Sequence, residues 1–331
     1  MRSSRSRSSE RRGAETRGRG PANRREASSF RPPPGLRPPA PIITLTTDFG
    51  LNDYFVGSVK GVLLSRAPGV KLVDITHQVP PQDLVSAAFV AREASQYFPG
   101  GSIHLVIVDP GVGTARRKII AARQDHLYVA PDNGVLTYIL QGKGTSVWEA
   151  EGPPSHAAHP AHGAHAAHAA HAAHAVSHPV SHPVSHPLLR FKPSPTFAGR
   201  DHFAPIAAAL AEGYPPDAFG KKIQDAFILN DLIPQRKGAG WIGKIVYLDH
   251  FGNAITNLTG EEIRAAAPGR WTLRLRDHLL KGLKENYAEG DQEGGNLIIN
   301  SSGYLEIFVP NGSAKNRFNL KLLDEVILER I

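Results

Sequence analysis

The sequence predicts an α/β N-terminal domain with a parallel-rich sheet, plus a smaller all-β C-terminal domain. Three observations predict it. Apolar, strand-like runs alternate with helix-like stretches from residue 41 to about 225. From Trp241 onward, short β-rich runs follow one another with Gly and Asn between most of them. The composition changes sharply at Pro41, where an Arg-, Ser- and Pro-rich stretch gives way to IITLTT. The expected organisation is a disordered tail at 1–40, an α/β domain at 41–225 with a low-complexity insertion at 155–187, and a β-barrel-like domain at 238–331.

The elements follow in order. Ile42–Thr47 is a short, buried-type strand that ends at Asp48-Phe49-Gly50. Tyr54 to Arg66 carries Phe55, Val56, Val59, Val62 and Leu63 on an apolar stripe, predicts a helix, and stops at Pro68-Gly69. Lys71 to Ile75 is the next strand. Pro80-Pro81-Gln82-Asp83 opens a helix that runs to about Tyr97, and Ile103 to Val108 is a third strand ending at Asp109. Strand–helix repetition implies parallel pairing with right-handed crossovers. Arg200 to Gly213 reads as a helix. The C-terminal strands are expected at Ile242–Leu248, Ala254–Leu258, Trp271–Leu275, Asn296–Ile299, Tyr304–Val309 and Glu325–Arg330.

The formal net charge of +8 resides in the tail, because residues 1–40 hold eleven Arg and three Glu. The remaining chain is balanced, so the folded body need not be a nucleic-acid binder. The tail has almost no aliphatic residues and cannot offset its chain entropy by burial. It fits a targeting peptide, a misplaced start or a loose RNA-binding arm equally, and no apolar signal-peptide core follows it. Ten of the sixteen histidines lie in the 155–187 insertion, first mostly as HAA units and then as SHPV-like units. Imidazole binds zinc, nickel or copper, but this spacing fixes no ligand geometry and the prolines break any helix. The insertion is read as a surface segment without required function. Cysteine is absent, which excludes disulfides, thiolate metal sites and cysteine nucleophiles. No run of about 18 apolar residues occurs, so no membrane span is expected. The expected location is the cytoplasm.

Candidate chemistry collects at strand ends. Asp48 and Asp109 both terminate predicted parallel strands, where α/β sheets bind ligands. A short carboxylate there can accept hydrogen bonds from ribose hydroxyls, or simply cap the following turn. Asp109 opens DPGVGTARR, a tight turn that is neither the dinucleotide fingerprint nor a P-loop. Arg116 and Arg117 follow it. As neighbours in a strand they point to opposite faces, so one serves the site and the other a surface ion pair. Asp132-Asn133-Gly134, Asp249 to Asn253, Ser301-Ser302-Gly303 and Glu306 are further polar groups at strand ends. No Gly-x-Ser-x-Gly elbow, His-Glu-x-x-His motif or Cys/His zinc pattern occurs.

Seven ordered motifs resemble one family: TTDFG (46–50), DITH (74–77), VDPGVGT (108–114), APDNG (130–134), FAGRDHFAP (197–205), DHFGN (249–253) and YLEIFVPNGSA (304–314). Together they are similar to the S-adenosyl-L-methionine (SAM) hydroxide adenosyltransferases, or SAM hydrolases, whose halide-using relatives are fluorinase and chlorinase. The resemblance spans about 42–331 apart from the histidine insertion. It implies hydrolysis of SAM to adenosine and L-methionine by in-line attack of water or hydroxide on ribose C5′, with SAM as substrate and with no cofactor and no metal. It implies a homotrimer whose sites lie between the N-terminal domain of one subunit and the β domain of the next. It implies no membrane and no specific nucleic acid as partners. By resemblance, Asp48 and Asp109 contact the adenosine, Asp109 and Arg116 belong to a nucleophile-positioning set of Asp, Arg and His, Asn253 lies at the ribose and methionine end, and Ser301, Glu306 and Val309 form the adenine-side wall.

One position departs from the pattern. The family's usual Thr-Phe-His-Gly-Arg-Asp reads Thr196-Phe197-Ala198-Gly199-Arg200-Asp201 here, so the imidazole of the set is missing. His202, four residues on, would share a helix face with position 198 and is the candidate catalytic substitute. Two alternatives therefore stay open: a catalytically impaired SAM- or adenosine-binding protein, and a halide-using synthase of 5′-halo-deoxyadenosine.

Overall fold

The structure is a computed structural model that describes residues 40–152, 193–265 and 271–330. Residues 1–39 of the predicted tail, and the whole 155–187 insertion, lie outside the described residues. The N-terminal part contains β1 (Ile42–Thr47), α1 (Phe55–Arg66), β2 (Lys71–Thr76), α2 (Leu84–Ser95), β3 (Ile103–Ile107), β4 (Lys118–Arg123), β5 (His126–Pro131), α3 (Thr137–Leu140), β6 (Ser146–Glu149), α4 (Ala204–Ala211) and β7 (Lys222–Ile223). The C-terminal part contains β8 (Gln235–Lys237), β9 (Gly240–Leu248), β10 (Ala254–Thr259), α5 (Gly260–Ala265), β11 (Trp271–Leu275), β12 (His278–Lys281), β13 (Leu283–Lys284), β14 (Asn296–Ile299), β15 (Tyr304–Phe308), α6 (Ala314–Arg317) and β16 (Glu325–Arg330).

The N-terminal sheet has strand order β2-β1-β3-β5-β4-β6-β7. The pairs β1–β2, β1–β3 and β3–β5 are parallel, whereas β4 runs antiparallel to β5 and β6, and β6 antiparallel to β7. The sheet is therefore mixed, with a parallel half that carries the strand ends of interest. β3 is buried along its whole length because both faces are covered. Ile103, Leu105 and Ile107 pack on one face with Val59 and Leu63 of α1 and with Ile206 of α4. Val106 packs on the other with Ala87 and Ala91 of α2 and with Ile139 of α3. α2 starts where the sequence places it, since the Asp83 carboxylate caps the helix by accepting from Ser86 N at 3.0 Å.

The helix expected over Arg200–Gly213 opens differently. Gly199–Phe203 forms one wide π turn, and only Ala204–Ala211 is α-helical. Pro205 explains the difference, because it lacks the N–H that an α turn at this point requires. The Ala204 N–H reaches back five residues to the Gly199 carbonyl.

The C-terminal sheet runs β12-β11-β16-β9-β10-β15-β14-β13, with β8 added on β9. It is nearly closed: a methyl group at Gly295, just before β14, would stand 2.8 Å from Leu280 of β12. Leu273, Leu297, Leu305, Ile307 and Leu328 fill its interior. The two sheets meet through α2. Phe89 stacks on Tyr247 with ring centroids 5.1 Å apart and meets Tyr304 edge-on at 5.4 Å.

Candidate active site

β1 and β3 are adjacent and parallel, with Thr47 opposite Ile107, so their carboxyl ends project Asp48 and Asp109 to the same edge of the sheet. Between them lies a cavity of about 150 Å³. Asp48, Phe49 and Phe55 line one side of it, Ile107, Asp109 and Val112 another, and Thr196 to Gly199 a third. Phe49, Phe55 and Phe197 form an aromatic wall with centroid separations of 5.2–6.1 Å. A Cβ at Gly199 would lie 3.2 Å from Phe49, so a side chain there would press on the aromatic wall.

Each acid is held. Asp48 Oδ2 accepts from Gln82 N at 2.8 Å. Asp109 receives both prongs of the Arg116 guanidinium, Nε on Oδ1 at 2.5 Å and Nη2 on Oδ2. The Arg116 guanidinium also lies over the Phe203 ring at 5.6 Å. Arg117 points the other way and pairs with Asp132 and Asp225. The DNG segment does more than turn the chain: Asn133 Nδ2 donates to the Val108 carbonyl at 2.9 Å and so fixes the residue that precedes Asp109. The Asp132 carboxylate also accepts from Phe227 N at 2.7 Å.

Position 198 presents only a methyl group to the cavity, and Ala198 is buried. His202 is not among the residues that line the cavity. Burial depresses its pKa, and the positive charges of Lys118 and Arg116 depress it further, against the opposing pull of Asp201. Asp201 itself is occupied, pairing with Arg200 and accepting from Ser194 N at 2.8 Å.

The C-terminal candidates form a second group. Asn253 is fixed by Asp249, which accepts from its backbone N at 2.8 Å and from its Nδ2 at 3.0 Å. Glu306 is buried on β15 and accepts from Tyr287 Oη at 2.8 Å and Asn300 Nδ2 at 3.0 Å. Burial raises its pKa, the two hydrogen bonds oppose that, and the charge of Asp249 adds to it. Asn300 Oδ1 accepts from Ser302 N and Tyr304 N, which shapes the turn that exposes Ser301. Val309 follows β15 and packs over Gly312. None of Asn253, Ser301, Glu306 and Val309 lines the N-terminal cavity of the same chain. The chain thus brings Asp48, Asp109 and position 198 together, places Arg116 behind Asp109, and holds the other group apart. Among the described residues no cluster of three or more His, Asp or Glu could hold a metal ion.

The sequence alone did not single out the aromatic wall, Gln82, Tyr287 or Asn300. Phe49 and Phe197 sit inside the TTDFG and FAGRDHFAP motifs, which was the available signal.

The SAM hydroxide adenosyltransferase N-terminal domain model matches residues 43–220, and the C-terminal domain model of the same family matches 243–327. The chain belongs to the SAM hydroxide adenosyltransferase family. It is 36% identical over 276 residues to the (R)-S-adenosyl-L-methionine hydrolase of Thermus thermophilus, covering 83% of this chain and 94% of the relative. It is 28% identical over 318 residues to the fluorinase of an Actinoplanes species, covering 85% of this chain and 95% of the relative. The crystal structure of a conserved protein from Thermotoga maritima superposes with a TM-score of 0.69 at 30% identity, over 87% of this chain and 100% of that one. This chain therefore aligns over most of its length with both the named hydrolase and the named fluorinase, and position 198 lies on the cavity of its N-terminal domain.

Proposed function

We propose that the protein hydrolyses SAM to adenosine and L-methionine, and that the working site forms where the cavity of one subunit meets the β domain of the next in a homotrimer. The observation that carries the reading is the pair of strand-end carboxylates, Asp48 and Asp109, on one aromatic-walled cavity, with Asp109 gripped by Arg116. Carboxylates are acceptors only, so both suit the hydroxyls of a ribose. Named hydrolases at 28–36% identity, beside fluorinases at 26–28%, support water over halide as nucleophile.

In the reaction a water oxygen attacks C5′ in line with the departing sulfur. The C–O bond forms, the C–S bond breaks, its electron pair stays on sulfur, and the attacking water loses one proton to solvent. The sulfonium leaves as a neutral thioether. The protein's task is to hold water and C5′ in line and to exclude other water. The Phe49, Phe55 and Phe197 wall supports exclusion, and the Asp109–Arg116 pair supports positioning by fixing both carboxylate oxygens. Asn253, Ser301, Glu306 and Val309 serve the reading as the wall contributed by the neighbouring subunit. Phe251 beside Asn253 is 75% exposed, as a residue that enters another subunit's cleft would be in a single chain.

Ala198 favours one second reading, a SAM- or adenosine-binding protein with little turnover, because no imidazole reaches the cavity from that position. Incubation with SAM, with and without chloride or fluoride, separates the readings by chromatography of the product. Adenosine supports hydrolysis, unchanged SAM supports the binding protein, and halo-deoxyadenosine overturns both.

A further inference from the structure

The DITH segment has no place in the chemistry described above and does not line the cavity, yet it holds the turn that does. A register shift in the β1–β2 pairing sets Leu45 opposite Asp74 but Thr46 opposite Thr76, so Ile75 is an extra residue on β2. In a regular strand Asp74 and His77, three apart, would point to opposite faces. The extra residue turns them to the same side. His77 Nε2 stands 3.1 Å from Asp74 Oδ1, a close polar contact rather than a straight hydrogen bond, and Lys60 Nζ donates to Asp74 Oδ2 at 2.6 Å. Burial would raise the Asp74 carboxyl pKa, but Lys60 and His77 together hold it below its ordinary value. On the inner side His77 Nδ1 lies 2.8 Å from Thr47 Oγ1, and both residues are buried.

The proton assignments follow from the partners. Asp74 is an acceptor, so Nε2 carries the ring hydrogen and Nδ1 accepts from the Thr47 hydroxyl. The Thr47 oxygen then accepts from Phe49 N at 3.3 Å. The His77 carbonyl accepts from Gly50 N at 2.7 Å, where the chain takes a φ of +69°. His77 therefore grips the Asp48-Phe49-Gly50 turn at both ends, and Asp48 and Phe49 line the cavity.

The geometry points to His77 as a positioning residue for the substrate site, acting through Thr47 and the Gly50 N–H to hold Asp48 and Phe49 where a ribose is bound. This rests on the reading of Asp48 as a substrate-contacting acid. A buried histidine that serves only the packing of the fold, with no bearing on the cavity, is the competing description.

Substitution separates the two. An Asn side chain reproduces the Nδ1 position and keeps a partner for Thr47, a Gln side chain reproduces only the Nε2 position, and Leu keeps neither. Steady-state SAM hydrolysis and adenosine titration would be measured for Asp48→Ala, His77→Leu, His77→Gln and His77→Asn in the full chain. Asp48→Ala sets the scale. The expected result is that His77→Leu and His77→Gln raise KM and the adenosine Kd about three- to tenfold, the worth of one hydrogen bond. KM should rise more than kcat falls, because ribose contacts serve ground and transition states alike. His77→Asn should recover most of the loss. Thr47→Val, of equal shape without the hydroxyl, should repeat the His77→Leu effect, and it replaces the histidine series if those variants do not fold. If Asp48→Ala weakens adenosine binding but His77→Leu or Thr47→Val does not, the positioning role is overturned while the site stands. If Gln rescues and Asn does not, the contact with Asp74 matters and the link to the cavity is overturned. If Asp48→Ala itself leaves adenosine binding unchanged, the site reading and this inference fall together.

Discussion

Asp109 and Arg116 form a two-pronged ion pair at the end of β3, with both side chains largely out of solvent at 7% and 12% exposure. A planar guanidinium matched to a carboxylate fixes the orientation of both oxygens, which a lysine cannot do. Arg116→Lys is therefore expected to lower kcat about tenfold or more while retaining the fold. Asp109→Ala is expected to weaken adenosine binding by about 1.5–3 kcal/mol, the worth of a hydrogen bond to a charged group. Single-turnover kinetics and calorimetry check the two. Unchanged adenosine affinity in a folded Asp109→Ala protein would remove Asp109 from the site.

The buried pair His104 and His126 adds an acid dependence to stability. His104 Nδ1 lies 2.8 Å from Thr44 Oγ1, and its Nε2 lies 3.0 Å from His126 Nδ1. Phe98 and Tyr128 pack against the His104 ring, and Asp125 acts on His126. Burial, reinforced by His126, drops the His104 pKa from 6.5 to about 3. The unfolded chain then binds this proton below pH 6.5 and the native one does not, so stability falls as pH drops from 6.5 toward 3. The slope is about 1.4 kcal/mol per pH unit while the linkage lasts. Urea unfolding at pH 7 and pH 4.5 should show a smaller acid loss for His104→Asn than for the native protein. Parallel pH dependence of the two would contradict it.

A site shared between subunits can be tested by complementation. Asp48→Ala spoils the N-terminal contribution and Asn253→Ala the C-terminal one. Each protein alone should hydrolyse SAM poorly. If the proposed trimer forms, coexpression gives mixed trimers in which some interfaces pair two unaltered faces, and activity should return. If each site lies within one chain, no chain is intact and nothing returns.

Ala198→His puts an imidazole on the cavity. Positioning or acid–base groups contribute about 10²–10⁴-fold, so adenosine release should rise with little change in SAM affinity. His202→Ala in the native background should retain turnover, because His202 does not line the cavity. Loss of turnover on that change would assign His202 the substitute role.

The parallel half of the first sheet was legible because β1 and β3 are apolar runs closed by acids, and a strand buried on both faces has no other pattern. β6, β7, β8, β12 and β13 were not, being two- to four-residue edge or linking strands whose pairing is decided by the sheet they join. The π turn before α4 was hidden because the apolar run was extended back to Arg200 across Pro205, which is a first-turn proline only of the shorter helix Ala204–Ala211. Asp48 and Asp109 could be placed from their strand ends. Their supports could not, since Gln82 reaches Asp48 through a backbone N–H and Asn133 reaches β3 across 25 residues. The His77 relay depends on a register shift that no side-chain pattern announces.

The central claim is that this chain cleaves the C5′–S bond of SAM with water. The direct measurement is incubation of the purified protein with SAM in H₂¹⁸O, with and without added chloride or fluoride, followed by mass analysis of the nucleoside. The account predicts adenosine carrying one ¹⁸O at the 5′ position, together with L-methionine, whether or not halide is present. Unlabelled adenosine, a halo-deoxyadenosine, or intact SAM bound without turnover would contradict it.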